Sequence, residues 1–196
     1  MDRQIDDLDA PSDIRSRIAS GCFSVTQEHQ KAVVLLVTKE LYASAFALCR
    51  PVFESYIRGV WLHRCASDSQ LRRYQKDKDE MPKFSDLIAA VESVEGFEGG
   101  VFSTLKAEAW TAMNSFTHTG YSQVVRFQTE TTIESNFDKE EVVEVVRVVN
   151  CFGWMAAIGI CAVASNNALA AKILDQGKRF FEESISNSLP HPPPNS

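Results

Sequence analysis

Arg50, Glu54 and Arg58 stand four residues apart in Arg50-Pro-Val-Phe-Glu54-Ser-Tyr-Ile-Arg58-Gly-Val-Trp61-Leu62, a spacing that lines up all three side chains along one helix. Phe46, Leu48, Cys49, Val52, Phe53, Tyr56, Ile57, Val60, Trp61 and Leu62 occupy nearly every other direction, so the segment predicts a central, buried helix rather than an amphipathic surface one. An unpaired guanidinium or carboxylate is costly to take out of water. The row therefore predicts an internal ion network, a polar cleft, or both. One carboxylate between two guanidiniums leaves a positive charge over, to be met by a backbone carbonyl, another carboxylate or a ligand anion. With Arg73 or Arg126 folded over the same opening, the row becomes an anion site suited to a nucleotide, RNA or a small anionic ligand, with Trp61 or Tyr74 available for stacking.

His118 is the second candidate. It ends the helical run Phe102, Leu105, Ala109, Ala112, Met113, Phe116 in the sequence Asn114-Ser-Phe-Thr-His118-Thr-Gly120-Tyr121. Amide and hydroxyl neighbours there can orient an imidazole for general acid–base work; the structural alternative is a hydrogen-bonded histidine at a helix C-terminus. The expectation is that His118 reaches the Arg50/Glu54 row from a second helix, with Gly120 stopping that helix. The candidate chemistry falls to His118, Glu54 and Arg50, and the candidate binding set is Arg50, Arg58, Trp61, Arg73, Tyr74, Asn114, Tyr121 and Arg126.

The elements that must carry these residues read as helices. Ser12 or Asp13 suits the cap of a short helix through Ile14, Ile18 and Cys22, and a second helix from Thr26 carries Val33, Val34, Leu36, Val37 and Leu41. After a break near Tyr42, Pro51 should kink or restart the central helix and free carbonyls near Arg50. The polar stretch 67–80, ended by Pro82, reads as a lid or rim, and Phe84, Leu87, Ile88 and Val91 as a short helix. Glu95 to Gly100 is a turn. The β-branched stretch from Tyr121 to Ile133 lacks a strand partner and is expected to be loop with irregular helix. A long helix led by Asp138 and another from Leu169 to Ile185 complete an all-α, single-domain bundle over 1–186, with a disordered Pro-rich tail at 187–196.

The 196 residues suffice for one core without disulfides or metals. A net charge of −6 argues against a nucleic-acid coat or a polybasic membrane binder, while leaving room for a local basic cleft. Five cysteines without C-x-x-C spacing suggest free thiols in a reducing cytoplasm, and the N-terminus has no signal-peptide layout. Val148 to Ala164 is too short for a membrane span and carries Asn150, so it is expected to be a buried helix in which Gly153 and Gly159 allow close packing. No Walker loop, dinucleotide fingerprint or metal-ligand spacing occurs, and neither cofactor nor metal is expected.

The Arg50 to Leu62 segment, Arg73-Tyr74 and Asn114-x-x-x-His118 together resemble a bacterial all-helical family with no assigned biochemical function. More distantly, Met113-Asn114-Ser115-Phe116-Thr117-His118 is similar to the motif of the HEPN domains, in which arginine, a polar residue and any three residues precede histidine. That resemblance implies a HEPN-like helical bundle and metal-independent RNA cleavage, but the arginine is Met113 here; Arg50, Arg58 or Arg126 would have to supply the charge. Three readings stand: a ligand-binding or regulatory module in a defence or toxin–antitoxin setting, a HEPN-like ribonuclease using His118, and a structural bundle that forms a homodimer or larger homo-oligomer through the apolar face from Phe152 to Gly159.

Overall fold

Asp13 opens the first helix, its carboxylate accepting a hydrogen bond from the Ser16 amide at 3.0 Å. From there the computed structural model describes a chain that is all helix, turn and loop. It describes Ile5, Leu8, Asp9, residues 11–76 and residues 81–186, with side chains as far as Glu182. The predicted tail at 187–196 and the last residues of the predicted lid, 77–80, lie outside the described residues.

The expected break before Thr26 is not there. One helix, α1 (Ile14–Thr38), runs through it, because Ser16, Ala19, Cys22, Phe23, Thr26, Gln27 and Val33 form one continuous buried stripe. It ends where Glu40 takes a left-handed φ of 57°. There follow α2 (Tyr42–Ala47), α3 (Cys49–Arg64), α4 (Asp68–Tyr74), α5 (Phe84–Glu92), α6 (Val101–Thr117), α7 (Tyr121–Val124), a 3-10 turn (Val125–Phe127), α8 (Lys139–Val163) and α9 (Asn167–Ser186). They pack as one all-α domain.

Pro51 restarts the helix rather than kinking it. It falls in the first turn of α3, where a missing N–H leaves no ladder bond broken. Ala47, whose carbonyl an ordinary residue at 51 would have engaged, instead accepts from the Thr117 hydroxyl at 3.2 Å. The proline thus creates a docking point for the end of α6.

α3 is the axis of the core, as its all-round apolar character predicted: Val52, Phe53, Ile57 and Leu62 have no exposed surface. α1 and α8 cross it, and one aromatic side chain binds the three. Phe23 on α1 lies between two glycines, so that a Cβ at Gly59 of α3 would stand 2.7 Å from its ring and a Cβ at Gly159 of α8 2.8 Å. Asn150 on α8 accepts from the Gln30 amide at 2.6 Å, and Gly153 lets Gln30 pass. α8 is long and apolar enough to cross a membrane by length and composition; a third of its most apolar window is buried among the other helices. Of the face predicted for assembly, Phe152, Gly153, Ala156 and Ala157 are buried inside the chain, while Trp154, Met155, Ile158 and Gly159 are half-buried.

Candidate functional site

α3 presents Arg50, Glu54 and Arg58 on one line, and Glu54 receives both guanidiniums: Arg50 Nε donates to Oε1 at 2.7 Å and Arg58 Nη2 meets Oε2 at 2.8 Å. The carboxylate is the most enclosed member, 13% exposed against 25% for Arg50 and 37% for Arg58. This is a partly wet network at the bundle edge, not a sealed ion pair.

The second half of the site comes from α6. Trp110, Asn114 and His118 are spaced four apart, like the row they face. Arg50 Nη1 donates to Asn114 Oδ1 at 2.6 Å and lies 3.0 Å from His118 Nε2, while its guanidinium carbon sits 4.7 Å from the Trp110 ring centroid. A guanidinium has only donors, so the His118 nitrogen must accept, which requires the neutral imidazole with its proton on Nδ1. Trp110 is fixed in turn by Phe84 of α5, stacked at 4.9 Å and 18°, and Lys106 Nζ stands 5.4 Å from the same ring. Arg50 is therefore held on four sides, its planar fork matched by an acid, an amide, an imidazole and an aromatic face.

His118 caps α6 in a way the sequence read only in part. Its amide donates to Asn114 O at 3.0 Å, and the helix is turned off by Thr119, which takes a positive φ of 54°, not by Gly120. Gly120 is needed for proximity instead: its amide reaches Ser115 O at 2.6 Å, and a Cβ there would stand 2.9 Å from the Ser115 Cα. His118 itself is exposed.

At the other end of the row, burial pushes the Cys22 thiol pKa up, while the Tyr74 hydroxyl at 3.8 Å and the Arg58 charge pull it back. Tyr74 thus lies at the Arg58 end of the row, half-buried, with Arg73 exposed beside it on α4. Three candidates do not join the site. Trp61 is 4% exposed and packs in the core, where no ligand ring can stack on it; Arg126 is engaged by Glu141 at 2.6 Å; Tyr121 is exposed at the start of α7, with no contact to the row among the described bonds. Met113 is buried, so the position of the motif arginine points into the core. Trp110 and Lys106 were missed, although the four-residue spacing 106, 110, 114, 118 was visible in the sequence. Among the described residues no cluster of three or more His, Cys, Asp or Glu converges to hold a metal.

A family model described as a family of unknown function, DUF6988, matches residues 23–185, a span that contains every residue of this site. No curated protein and no solved structure matches the chain.

Proposed function

We propose, for a chain that belongs to the DUF6988 family of unknown function, that it is a binding module for a phosphate-bearing ligand, recognised at the rim between α3 and α6. The observation that carries this reading is the arrangement of Arg50: its Nε and Nη1 are consumed by Glu54, Asn114 and His118, which fixes the plane of the guanidinium before any ligand arrives. Glu54 neutralises one of the two arginines, and Lys106 adds a further cation beside Trp110. The rim thus offers an oriented excess of positive charge on a protein of net charge −6. A nucleotide or single-stranded RNA supplies both the anion and a base to lie along an aromatic edge. A defence or toxin–antitoxin role is the setting that the HEPN resemblance implies.

Fluorescence anisotropy with a labelled single-stranded RNA, competed by nucleoside monophosphate and by inorganic phosphate, tests the proposal. Binding is expected to weaken as salt is added, and Arg58→Ala to weaken it about ten-fold. Absence of binding by all three ligands at low ionic strength contradicts it.

The 3.0 Å contact between Arg50 and His118 favours a second reading, metal-independent RNA cleavage. In it Arg50 supplies from α3 the charge absent at Met113 and turns to the phosphate, His118 Nε2 takes the proton of a ribose 2′-hydroxyl, and the 2′-oxygen attacks the adjacent phosphorus; the P–O5′ bond breaks to leave a 2′,3′-cyclic phosphate, and the departing 5′-oxygen takes a proton from water. RNA cleaved by the wild type in the presence of chelator, and left intact by His118→Ala at unchanged circular dichroism, separates this reading from simple binding.

A further inference from the structure

The three polar contacts of Arg50 meet water differently. Those to Glu54 and Asn114 are part-buried, whereas the contact of Nη1 with His118 Nε2 is exposed. Nε and Nη1 are spent on these partners, which leaves the hydrogens of Nη2, without a partner among the described residues, for a ligand. Glu54 and Asn114 close the guanidinium off on the inside, so an anion bound by Arg50 enters from the exposed side, beside His118. The other elements packed around the end of α6 bring no free charge to the imidazole. Besides Arg50, with Glu54 behind it, α2 holds Thr117 through the Ala47 carbonyl and carries no charged residue; its one titratable group, Tyr42, packs on Phe137. Asp138, next to the Phe137 that packs on Phe116, is occupied in capping α8. Tyr121 of α7 is exposed, and Arg126 is paired to Glu141.

We propose, on the basis of the anion site argued above, that anion binding is coupled to protonation of His118: the site takes up a proton from water as the anion binds, so its affinity rises on acidification. Without an anion, Nε2 accepts from Arg50. Protonation makes it a donor facing a donor, and two cations then meet with no acceptor between them. An anion with several lone pairs is the acceptor that both lack. The imidazolium and the guanidinium turn their hydrogens to it, while Glu54 and Asn114 keep the plane of Arg50. The bound state therefore favours the imidazolium more than the free state does. By linkage, the proton favours the anion to the same degree.

Sulfate is the probe, because its own charge does not change over the range in which an imidazole titrates. Calorimetric titration of the full chain with sulfate, at low and constant ionic strength, reads the affinity at about pH 8 and about pH 5.5, on either side of the ordinary imidazole value. Wild type is expected to bind about five-fold or more tightly at the acid pH, with proton uptake visible as a binding heat that changes with the ionisation enthalpy of the buffer. His118→Gln keeps an acceptor for Arg50 but has no titrating proton, and should lose most of that pH dependence. A second arm uses wild type alone: the His118 ring resonances should titrate at higher pH with sulfate than without it, those of His29 and His63 staying in place. Saturable binding of equal strength at both pH values, a pH dependence undiminished in His118→Gln, or a His118 titration that sulfate does not move overturns the coupling and leaves the anion site standing. Absence of sulfate binding at either pH removes the site and the coupling together.

Discussion

Glu54 is the residue on which the site balances. Glu54→Ala removes the acceptor of both guanidiniums and is expected to cost about 1–3 kcal/mol, moderated by the solvent that reaches Arg50 and Arg58. Glu54→Gln keeps one acceptor oxygen and should cost less; equal melting temperatures for both variants and wild type would show that the network contributes nothing to stability. His118 gives a prediction of a different kind. Because Arg50 can only donate, the imidazole in this contact should carry its proton on Nδ1, and ring nitrogen chemical shifts report that tautomer directly. A shift pattern with Nε2 protonated would remove the Arg50 contact. The charged row and His118 were legible from residue types and spacing, whereas the aromatic partner was not. Trp61 and Trp110 both sit in apolar surroundings in the sequence, and only the crossing of α3 with α6 decides that Trp61 turns inward while Trp110 covers Arg50.

Between elements, the fold depends on places where a helix must pass unusually close to another. The Phe23 ring is enclosed by Gly59 and Gly159, so neither helix can yield to a new methyl without losing the other contact. Gly159→Ala is expected to destabilise by about 1–3 kcal/mol as an overpacked contact, measured by chemical denaturation, and an unchanged midpoint would mean that Phe23 moves freely. The close approach at Gly153 and Gly159 was readable from the glycines on an apolar helix; their partner on α1 was not, because contacts distant in sequence leave no local periodicity. The merging of the two expected N-terminal helices into α1 has a related cause. Gly21 faces solvent with open space where a Cβ would stand, so it costs a little propensity and breaks nothing. Pro51 was legible as a kink or a restart, but which of the two it makes, and the Ala47 carbonyl that receives Thr117, required the second helix to be in place. Thr117→Val should loosen the end of α6 and with it His118, seen as faster amide exchange at His118 than in wild type.

Across the whole molecule, buried acids set a limit on alkaline stability. Burial pushes the Cys49 thiol from 9.0 up to about 12 and raises the Tyr56 hydroxyl as well. The fold therefore holds these protons while the unfolded chain releases them, so stability should fall as pH rises above about 9 and continue falling toward the folded Cys49 value. Melting temperatures across the alkaline range should show this decline, and Cys49→Ala should make it shallower. The all-α architecture was legible because nearly every segment carries its own helical period, while the site's two-sided character depended on how α3 and α6 meet. The proposed anion site depends on that meeting, which fixes the Arg50 guanidinium in place. The most direct test follows the side-chain nitrogen resonances of the arginines and His118 while inorganic phosphate is added at low ionic strength. Saturable shifts are expected at Arg50, Arg58 and His118 with Arg126, paired to Glu141, unmoved; shifts spread evenly over all arginines, or none at Arg50 and Arg58, would rule the anion site out.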